Sequence, residues 1–241
     1  MRIGLVCEGP SDVPAIIHFF GSQLRQRGIE PNFRNLFPEP DRTRAAGGWS
    51  NLMLWLKRNP AKTRIARYFS EGLFGGDAVQ EPLDAIIIQI DADIVEERGF
   101  QSYVEAEFGL NIASVATSGE RGQALAEVLD AACELSSMVK IDRDRHVSAI
   151  AVESTETWCL AAFRAQPEQF EEMRGEVLTN AFMQALEISE SRQPQDAYVN
   201  CDKDAARRER FCATHAAQSS RIVDTCPHFA AALVAVQAVA P

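Results

Sequence analysis

Short apolar runs along the chain predict the strands. Residues 3–7 form one such run, which ends at Glu8-Gly9-Pro10, as is typical of a strand that is buried on both faces. Residues 84–90 are the most strand-like segment of the chain, and they continue directly into Asp91-Ala92-Asp93. Weaker patterns predict further strands at 31–37, 110–116 and 146–152.

Segments with helical spacing of apolar residues lie between these strands. The first predicted helix begins with Ser11 as its N-cap and ends near Gly28. Others are predicted at 49–69 with a break at Asn59-Pro60, at 95–108 and at 121–138. This alternation predicts an α/β fold, a mainly parallel sheet flanked by helices.

The pattern changes near residue 153, after which it is helical nearly throughout. We therefore predict an α/β domain at 1–152, with an inserted loop and helix segment at about 38–80. Residues 153–241 are predicted to form a mostly helical C-terminal extension, which either stands apart or merges into the same domain.

Composition limits the classes of protein that fit. With 241 residues and 46% hydrophobic content the chain builds a real core, and its beginning lacks the pattern of a signal peptide. No apolar stretch is long enough to span a membrane, so a cytoplasmic protein without membrane contact is expected.

The six cysteines form no C-x-x-C pair and are interpreted as reduced thiols. A zinc site is the alternative, but the spacing of its candidate ligands matches no common zinc module; they are Cys201, Cys212, His215, Cys226 and His228.

The charge distribution bears on nucleic-acid binding. A net charge of -10 argues against wrapping nucleic acid by bulk electrostatics. Residues 42–67, however, contain basic residues and no acidic one. Within this basic segment, Arg42, Arg44, Lys57 and Arg58 are candidates for binding an anionic substrate, and a solvated helix face is the alternative.

Three carboxylates follow the two clearest predicted strands. The carboxyl ends of parallel strands gather at one edge of a sheet, where ligands bind. If the two strands are neighbours, Glu8, Asp91 and Asp93 converge, and their mutual repulsion favours a hard cation such as Mg²⁺ or Mn²⁺. The sequence therefore predicts a metal site at this edge.

Other residues extend the predicted site. Asp12 lies four residues after Glu8 and either supplies a further oxygen ligand or interacts with the helix dipole. Gly9 allows a tight backbone turn beside the metal and its anionic ligand. Glu156, or Glu153 on the same helical face, is a candidate ligand for a second metal, with an ordinary acidic first turn as the alternative.

These motifs resemble those of a known family. Leu5-Val6-Cys7-Glu8-Gly9-Pro10-Ser11-Asp12 resembles the glutamate motif of TOPRIM domains, and Ile88-Gln89-Ile90-Asp91-Ala92-Asp93 resembles their Asp-x-Asp motif. Three more segments are similar to elements of a group of small bacterial TOPRIM-like proteins close to the OLD nucleases: Gly47-Gly48-Trp49-Ser50-Asn51-Leu52, Glu153-Ser154-Thr155-Glu156-Thr157-Trp158-Cys159-Leu160 and Cys226-Pro227-His228-Phe229.

The resemblance implies metal-dependent phosphodiester chemistry on DNA or RNA, with Glu8, Asp91 and Asp93 as catalytic residues. The sequence contains no topoisomerase tyrosine domain, primase zinc module or ATPase P-loop, so a small nuclease fits best. The same resemblance implies a role in phage defence. It leaves open an ATPase partner, a homo-oligomer and the number of metal ions.

Two other functions remain open. Phosphotransferases of the haloacid-dehalogenase kind also carry Asp-x-Asp after a strand, but a Thr normally follows closely, whereas Ile94-Val95 follows here. Glu8 would have no role in such an enzyme. The second alternative is a non-catalytic metal- or nucleotide-binding subunit of a larger complex, which the acidic charge and the helical C-terminal part also allow.

Overall fold

A parallel sheet forms the centre of the protein. The computed structural model describes residues 1–38, 47–70, 81–115, 117–165, 169–190 and 205–241. Within these ranges the sheet has the strand order β2-β1-β3-β4, and all three pairs of neighbours are parallel. Its strands are β1 (Arg2–Cys7), β2 (Asn32–Phe37), β3 (Ala85–Asp91) and β4 (His146–Ala151). The predicted α/β class is confirmed.

Helices flank the sheet and make up most of the C-terminal part, as predicted. Those before β3 are α1 (Val13–Ala15), which a π-helical turn at Ile16–Phe20 joins to α2 (Gly21–Gln26), then α3 (Trp49–Arg58) and α4 (Ala61–Arg64). Between β3 and β4 lie α5 (Arg98–Phe108), α6 (Ser118–Ala132) and α7 (Lys140–Asp144). After β4 come α8 (Thr155–Phe163), α9 (Gly175–Ser189), α10 (Ala205–His215), α11 (Ser220–Thr225) and α12 (Pro227–Ala238). Among the helices in the described ranges, none has the length and apolar character needed to cross a membrane.

The two faces of the sheet pack in two separate cores. On β1, Ile3 and Leu5 belong to the core on one face, and Val6 belongs to the core on the other. The alternation follows from the strand geometry, in which successive side chains point to opposite faces. Since both faces are covered, the strands need apolar residues on both sides, and this explains the continuous apolar run of β3.

Residues on both sides of position 153 share one core. The ring of Phe229 on α12 lies 4.3 Å from the ring of Phe20 and 5.2 Å from that of Trp158, measured between centroids. All three side chains are fully buried. The helices after β4 therefore pack directly on the helical segment that follows β1.

The prediction of a strand at 110–116 is wrong for residues 110–115, which form no strand; Ala116 lies outside the described residues. Gly109 ends α5 with a left-handed φ of 69°. The side chain of Asn111 then accepts a hydrogen bond from the amide of Ala113 at 3.1 Å, which makes a local turn. Ile112 is buried and Leu110 and Val115 pack partly against the same core, so the segment contributes to the core without adding a strand to the sheet.

The predicted N-cap at Ser11 is also wrong. The helical segment begins at Val13, with Asp12 in the N-cap position. The Asp12 side chain makes no capping hydrogen bond to the helix. It turns back toward the loop that follows β1, where the acidic residues of the predicted metal site lie.

The shared core predicts a large cost for shortening Phe229. Phe229→Ala should lower the free energy of unfolding by about 3–5 kcal/mol, because a fully buried ring is removed from contact with Phe20 and Trp158. Val234→Ala on the same helix is the control; its side chain is 61% exposed, and the change should stay within about 0.5 kcal/mol. Urea unfolding followed by circular dichroism measures both, and equal effects would contradict the packing.

Candidate metal centre

Glu8 and Asp91 lie side by side at one edge of the sheet. Glu8 follows the last residue of β1, and Asp91 is the last residue of β3. These strands are neighbours, with Cys7 opposite Gln89. The amide of Asp91 donates a hydrogen bond to Oε2 of Glu8 at 3.1 Å. The structure thus brings together the first two residues of the predicted site.

The side chain of Gln89 links the two strand ends. Its Oε1 accepts a hydrogen bond from the amide of Glu8 at 3.1 Å, and its Nε2 donates to Oδ1 of Asp91 at 2.7 Å. Gln89 is fully buried, and both of its hydrogen bonds are partly shielded from water. Sequence reasoning missed this role, although a single amide inside the apolar run of β3 was a usable signal.

Asp12 is buried and holds the loop that follows β1. Its Oδ2 accepts a hydrogen bond from the amide of Gly9 at 2.9 Å, and its Oδ1 accepts one from the hydroxyl of Thr155 at 2.7 Å. A Cβ at position 9 would lie 3.1 Å from Oδ2 of Asp12. Gly9 therefore leaves room for this close contact, in agreement with its predicted role in a tight turn.

Asp93 lies in the 3₁₀ turn Ala92–Glu96, directly after β3. Its amide donates to the backbone carbonyl of Glu153 at 3.1 Å. Glu153 has a left-handed φ of 65°, a conformation that costs energy in a residue with a Cβ. Its buried carboxylate pairs with Arg121, which also contacts Glu96 at 2.9 Å. Glu153 thus positions the backbone of Asp93.

Glu156 lies in the first turn of α8 and pairs with Arg208 of α10. Arg208 is buried, donates to Thr155 Oγ1 at 3.0 Å, and places its guanidinium 4.5 Å from the ring centroid of Phe182. Burial alone would raise the pKa of Glu156, but Arg208 and nearby hydrogen bonds lower it overall. Neither Arg208 nor Thr155 was singled out from the sequence.

Helix α3 begins beside Glu8, but the basic residues of this helix lie at its other end. The amide of Gly48 donates to the carbonyl of Glu8 at 2.9 Å. Lys57 and Arg58 are the last two residues of α3, and the helical rise places them roughly 13 Å along the helix axis from Gly48. Lys57 pairs with Glu107 at 2.7 Å. The structure therefore does not bring these two candidates to the carboxylates, and Arg42 and Arg44 lie outside the described residues.

Burial raises the pKa of the carboxylates at the strand ends. The pKa of Glu8 is raised to about 8 by burial, with additional repulsion from Asp12, Asp93 and Glu97. Burial also raises the pKa of Asp91 well above its ordinary value, and the charges of Asp12 and Glu8 add to the shift. Each charge therefore makes ionisation of its neighbours more costly.

The pKa values of the two flanking aspartates, Asp12 and Asp93, are raised as well. Burial raises the pKa of Asp12 to about 6, although the hydrogen bond from Thr155 and the charge of Arg208 oppose the shift. The pKa of Asp93 is also raised to about 6. Desolvation is the largest cause and the charge of Glu153 is the next, although part of the Asp93 residue is exposed to solvent.

The donor atoms suit a hard cation. Glu8, Asp91 and Asp93 supply only oxygen, which Mg²⁺ and Mn²⁺ prefer, and within the described ranges none of the three pairs with a basic side chain. In the same ranges, no three Asp, Glu, His or Cys side chains are already grouped closely enough to hold a metal ion. Metal binding would therefore require these carboxylates to turn toward a common point.

The alternative zinc ligands lie in separate surroundings. Cys212 Sγ is 3.8 Å from Cys159 Sγ, and His215 Nε2 is 3.0 Å from the hydroxyl of Ser189. The ring of His228 packs against Gly122, where a Cβ would meet Nε2 at 2.3 Å. Cys201 lies outside the described residues. The contacts of the described candidates are those of packing residues.

Comparisons of the chain with protein-family models, with curated proteins and with solved structures found no match. What the site does must therefore be argued from its own residues.

The raised pKa of Glu8 predicts how stability depends on pH in metal-free protein. Its folded pKa of about 8 lies above the ordinary value of 4.5, so protonation of Glu8 stabilises the fold fully below about pH 4.5. This contribution is lost as the pH rises through about 8. Glu8→Gln cannot ionise and still accepts a hydrogen bond, so in chelator it should melt about 2–4 °C above wild type at pH 9 and close to wild type at pH 5.

Thermal melting at the two pH values measures this difference. Glu105→Gln, at an exposed position of α5, is the control and should follow wild type at both. A Glu8→Gln protein that melts no higher than wild type at pH 9 would show that Glu8 is not destabilised by its surroundings.

Proposed function

We propose that this chain is a Mg²⁺-dependent nuclease that hydrolyses phosphodiester bonds in DNA or RNA, with Mn²⁺ as an alternative ion. The observation that carries the proposal is that Glu8 and Asp91 lie at the neighbouring ends of β1 and β3, where the Asp91 amide donates to Glu8 Oε2 and neither carboxyl group pairs with a basic side chain in the described ranges. Ionising both groups is costly unless a cation neutralises them, and without a cation the raised pKa values of Glu8 and Asp91 favour their protonated forms. The resemblance of both motifs to TOPRIM domains supports the same function.

Three carboxylates would hold the ion in this proposal, namely those of Glu8, Asp91 and Asp93. Asp12 and Glu156 remain predicted further ligands, although hydrogen bonds and an ion pair already engage them. A bound Mg²⁺ polarises a scissile phosphate and lowers the pKa of an attacking water.

In an alternative arrangement, Asp91 and Asp93 hold the ion and Glu8 acts as a general base through a water. Its Oε2 accepts a hydrogen bond from the amide of Asp91, and its Oε1 would take the proton.

One observation favours the non-catalytic alternative. Two buried arginines that are linked to this edge of the sheet through Glu153 and Thr155 already have acidic partners: Arg121 pairs with Glu153, and Arg208 pairs with Glu156. Charge on a phosphoryl transition state usually requires a cation from the protein. In a metal- or nucleotide-binding subunit, that requirement would not arise.

The proposed role in phage defence comes from the TOPRIM resemblance alone. The cytoplasmic location stays a prediction from the sequence composition. The resemblance leaves open an ATPase or a second copy of this chain as a partner.

A cleavage assay separates the two functions. Purified protein is incubated with end-labelled single- and double-stranded DNA and with RNA, in Mg²⁺, in Mn²⁺ and in chelator. Asp91→Asn should reduce metal-dependent cleavage by roughly a hundredfold or more. Loss of a residue that only hydrogen-bonds to a metal ligand already lowers activity about 10–100-fold, and Asp91 is itself a proposed ligand. Asp224→Asn, at an exposed position of α11, is the matched control and should cleave like wild type.

Two cleavage results would contradict the proposed nuclease site. Cleavage that is equal in Asp91→Asn and wild type, or that survives chelator, would come from a contaminant or from another site. Binding of Mn²⁺ by wild type without cleavage of any of these substrates would favour the non-catalytic subunit.

A further inference from the structure

A chain of hydrogen bonds connects α10 to the loop that follows β1. Arg208 on α10 donates to the hydroxyl of Thr155 at 3.0 Å, and this hydroxyl donates to Oδ1 of Asp12 at 2.7 Å. The other oxygen of Asp12 accepts from the amide of Gly9 at 2.9 Å. Arg208, Thr155 and Asp12 are 1%, 0% and 5% exposed, so water does not compete for the two bonds of the Thr155 hydroxyl, while the Gly9 bond is partly buried.

The direction of these bonds is fixed by chemistry. An arginine side chain has only N–H donors, so the Thr155 hydroxyl must act as the acceptor toward Arg208. The single proton of that hydroxyl is then left for Asp12. Arg208 thus determines which way the hydroxyl of Thr155 points, and Asp12 gains a donor on the oxygen that faces away from Gly9.

Asp12 in turn closes the loop that carries Glu8. Its side chain accepts from the amide of Gly9, and its own amide donates to the carbonyl of Gly9 at 3.2 Å. Two hydrogen bonds therefore fix the residue directly after Glu8. A change in the position of Asp12 moves the backbone from which the Glu8 carboxylate extends.

Arg208 reaches the site from a distant part of the sequence and binds two of its residues. It pairs with Glu156 in the first turn of α8 while donating to Thr155, the residue before it. The position of its guanidinium is fixed further by the ring of Phe182 on α9, 4.5 Å away. Packing among α8, α9 and α10 therefore determines where the end of this hydrogen-bond chain lies.

We infer that Arg208 and Thr155 are positioning residues for the metal site, through which the C-terminal helices set the conformation of the Glu8 loop and its affinity for a divalent cation. This inference rests on the proposed function for the metal itself. The hydrogen-bond chain, in contrast, is open to a test that needs no metal.

Two substitutions of Thr155 form a matched pair. Thr155→Val keeps the shape of the side chain and removes the hydroxyl, while Thr155→Ser keeps the hydroxyl. Titration with Mn²⁺, followed by calorimetry, should give an affinity 10–100-fold below wild type for Thr155→Val and close to wild type for Thr155→Ser. Thermal melting of each variant shows that the compared proteins are folded.

Hydrogen exchange at the Gly9 amide, measured by NMR in chelator, is the second readout. Without the bond from Thr155 the Asp12 side chain is free to move away from Gly9, so exchange should be faster in Thr155→Val than in wild type or Thr155→Ser. Arg208→Lys keeps the charge but cannot donate to Thr155 and Glu156 with the geometry of a guanidinium. It should therefore also lower the affinity for Mn²⁺ and speed up exchange at the Gly9 amide.

The outcomes separate this inference from the proposed function. A wild-type protein that binds no Mn²⁺ contradicts the metal site, while exchange at Gly9 still tests the hydrogen-bond chain. If wild type binds Mn²⁺ and Thr155→Val binds it equally well, the inference is overturned and the metal site stands. Weaker binding with unchanged exchange at Gly9 also overturns it, because the effect would not pass through the loop.

Discussion

The structure depends on the parallel pairing of β1 with β3, which places two carboxylates at the same edge of the sheet. Strand pairing fixes the backbones of Glu8 and Asp91 in neighbouring positions, and the buried amide of Gln89 fastens both ends. Burial then makes their ionisation costly. Carboxyl groups with raised pKa values and no basic partner in the described ranges are typical of functional sites, and this is the basis of the proposed metal site.

The segment after β4 also contributes residues to this edge of the sheet, where Thr155 contacts Asp12 and Glu153 contacts Asp93. Arg121 and Arg208 neutralise Glu153 and Glu156, so the acidic residues of this part are balanced by buried cations. The carboxyl groups of Glu8 and Asp91 have no such basic partner in the described ranges, so a proton or a cation must neutralise them. This division explains why the N-terminal carboxylates are the better candidates for metal ligands, and the C-terminal ones for positioning.

The local pattern of the sequence predicted the sheet and the placement of Glu8 and Asp91, because the apolar runs of β1 and β3 and the acidic residues after them are local signals. It failed at 110–115, where Leu110, Ile112 and Val115 pack against the core but the segment forms no strand. Arg208 could not be found in this way, since Arg207, Arg208 and Arg210 look alike in the sequence. Only tertiary packing decides that Arg208 reaches Thr155.

The most direct test of the metal site is a crystal structure of the protein soaked with Mn²⁺, with anomalous diffraction used to locate the ion. The account predicts an anomalous peak at about 2.1 Å from carboxylate oxygens of Glu8 and Asp91, with Asp93 turned toward it. No such peak in crystals of Asp91→Asn would strengthen the assignment. A wild-type crystal with the ion elsewhere, or with no ion at this edge of the sheet, would contradict it.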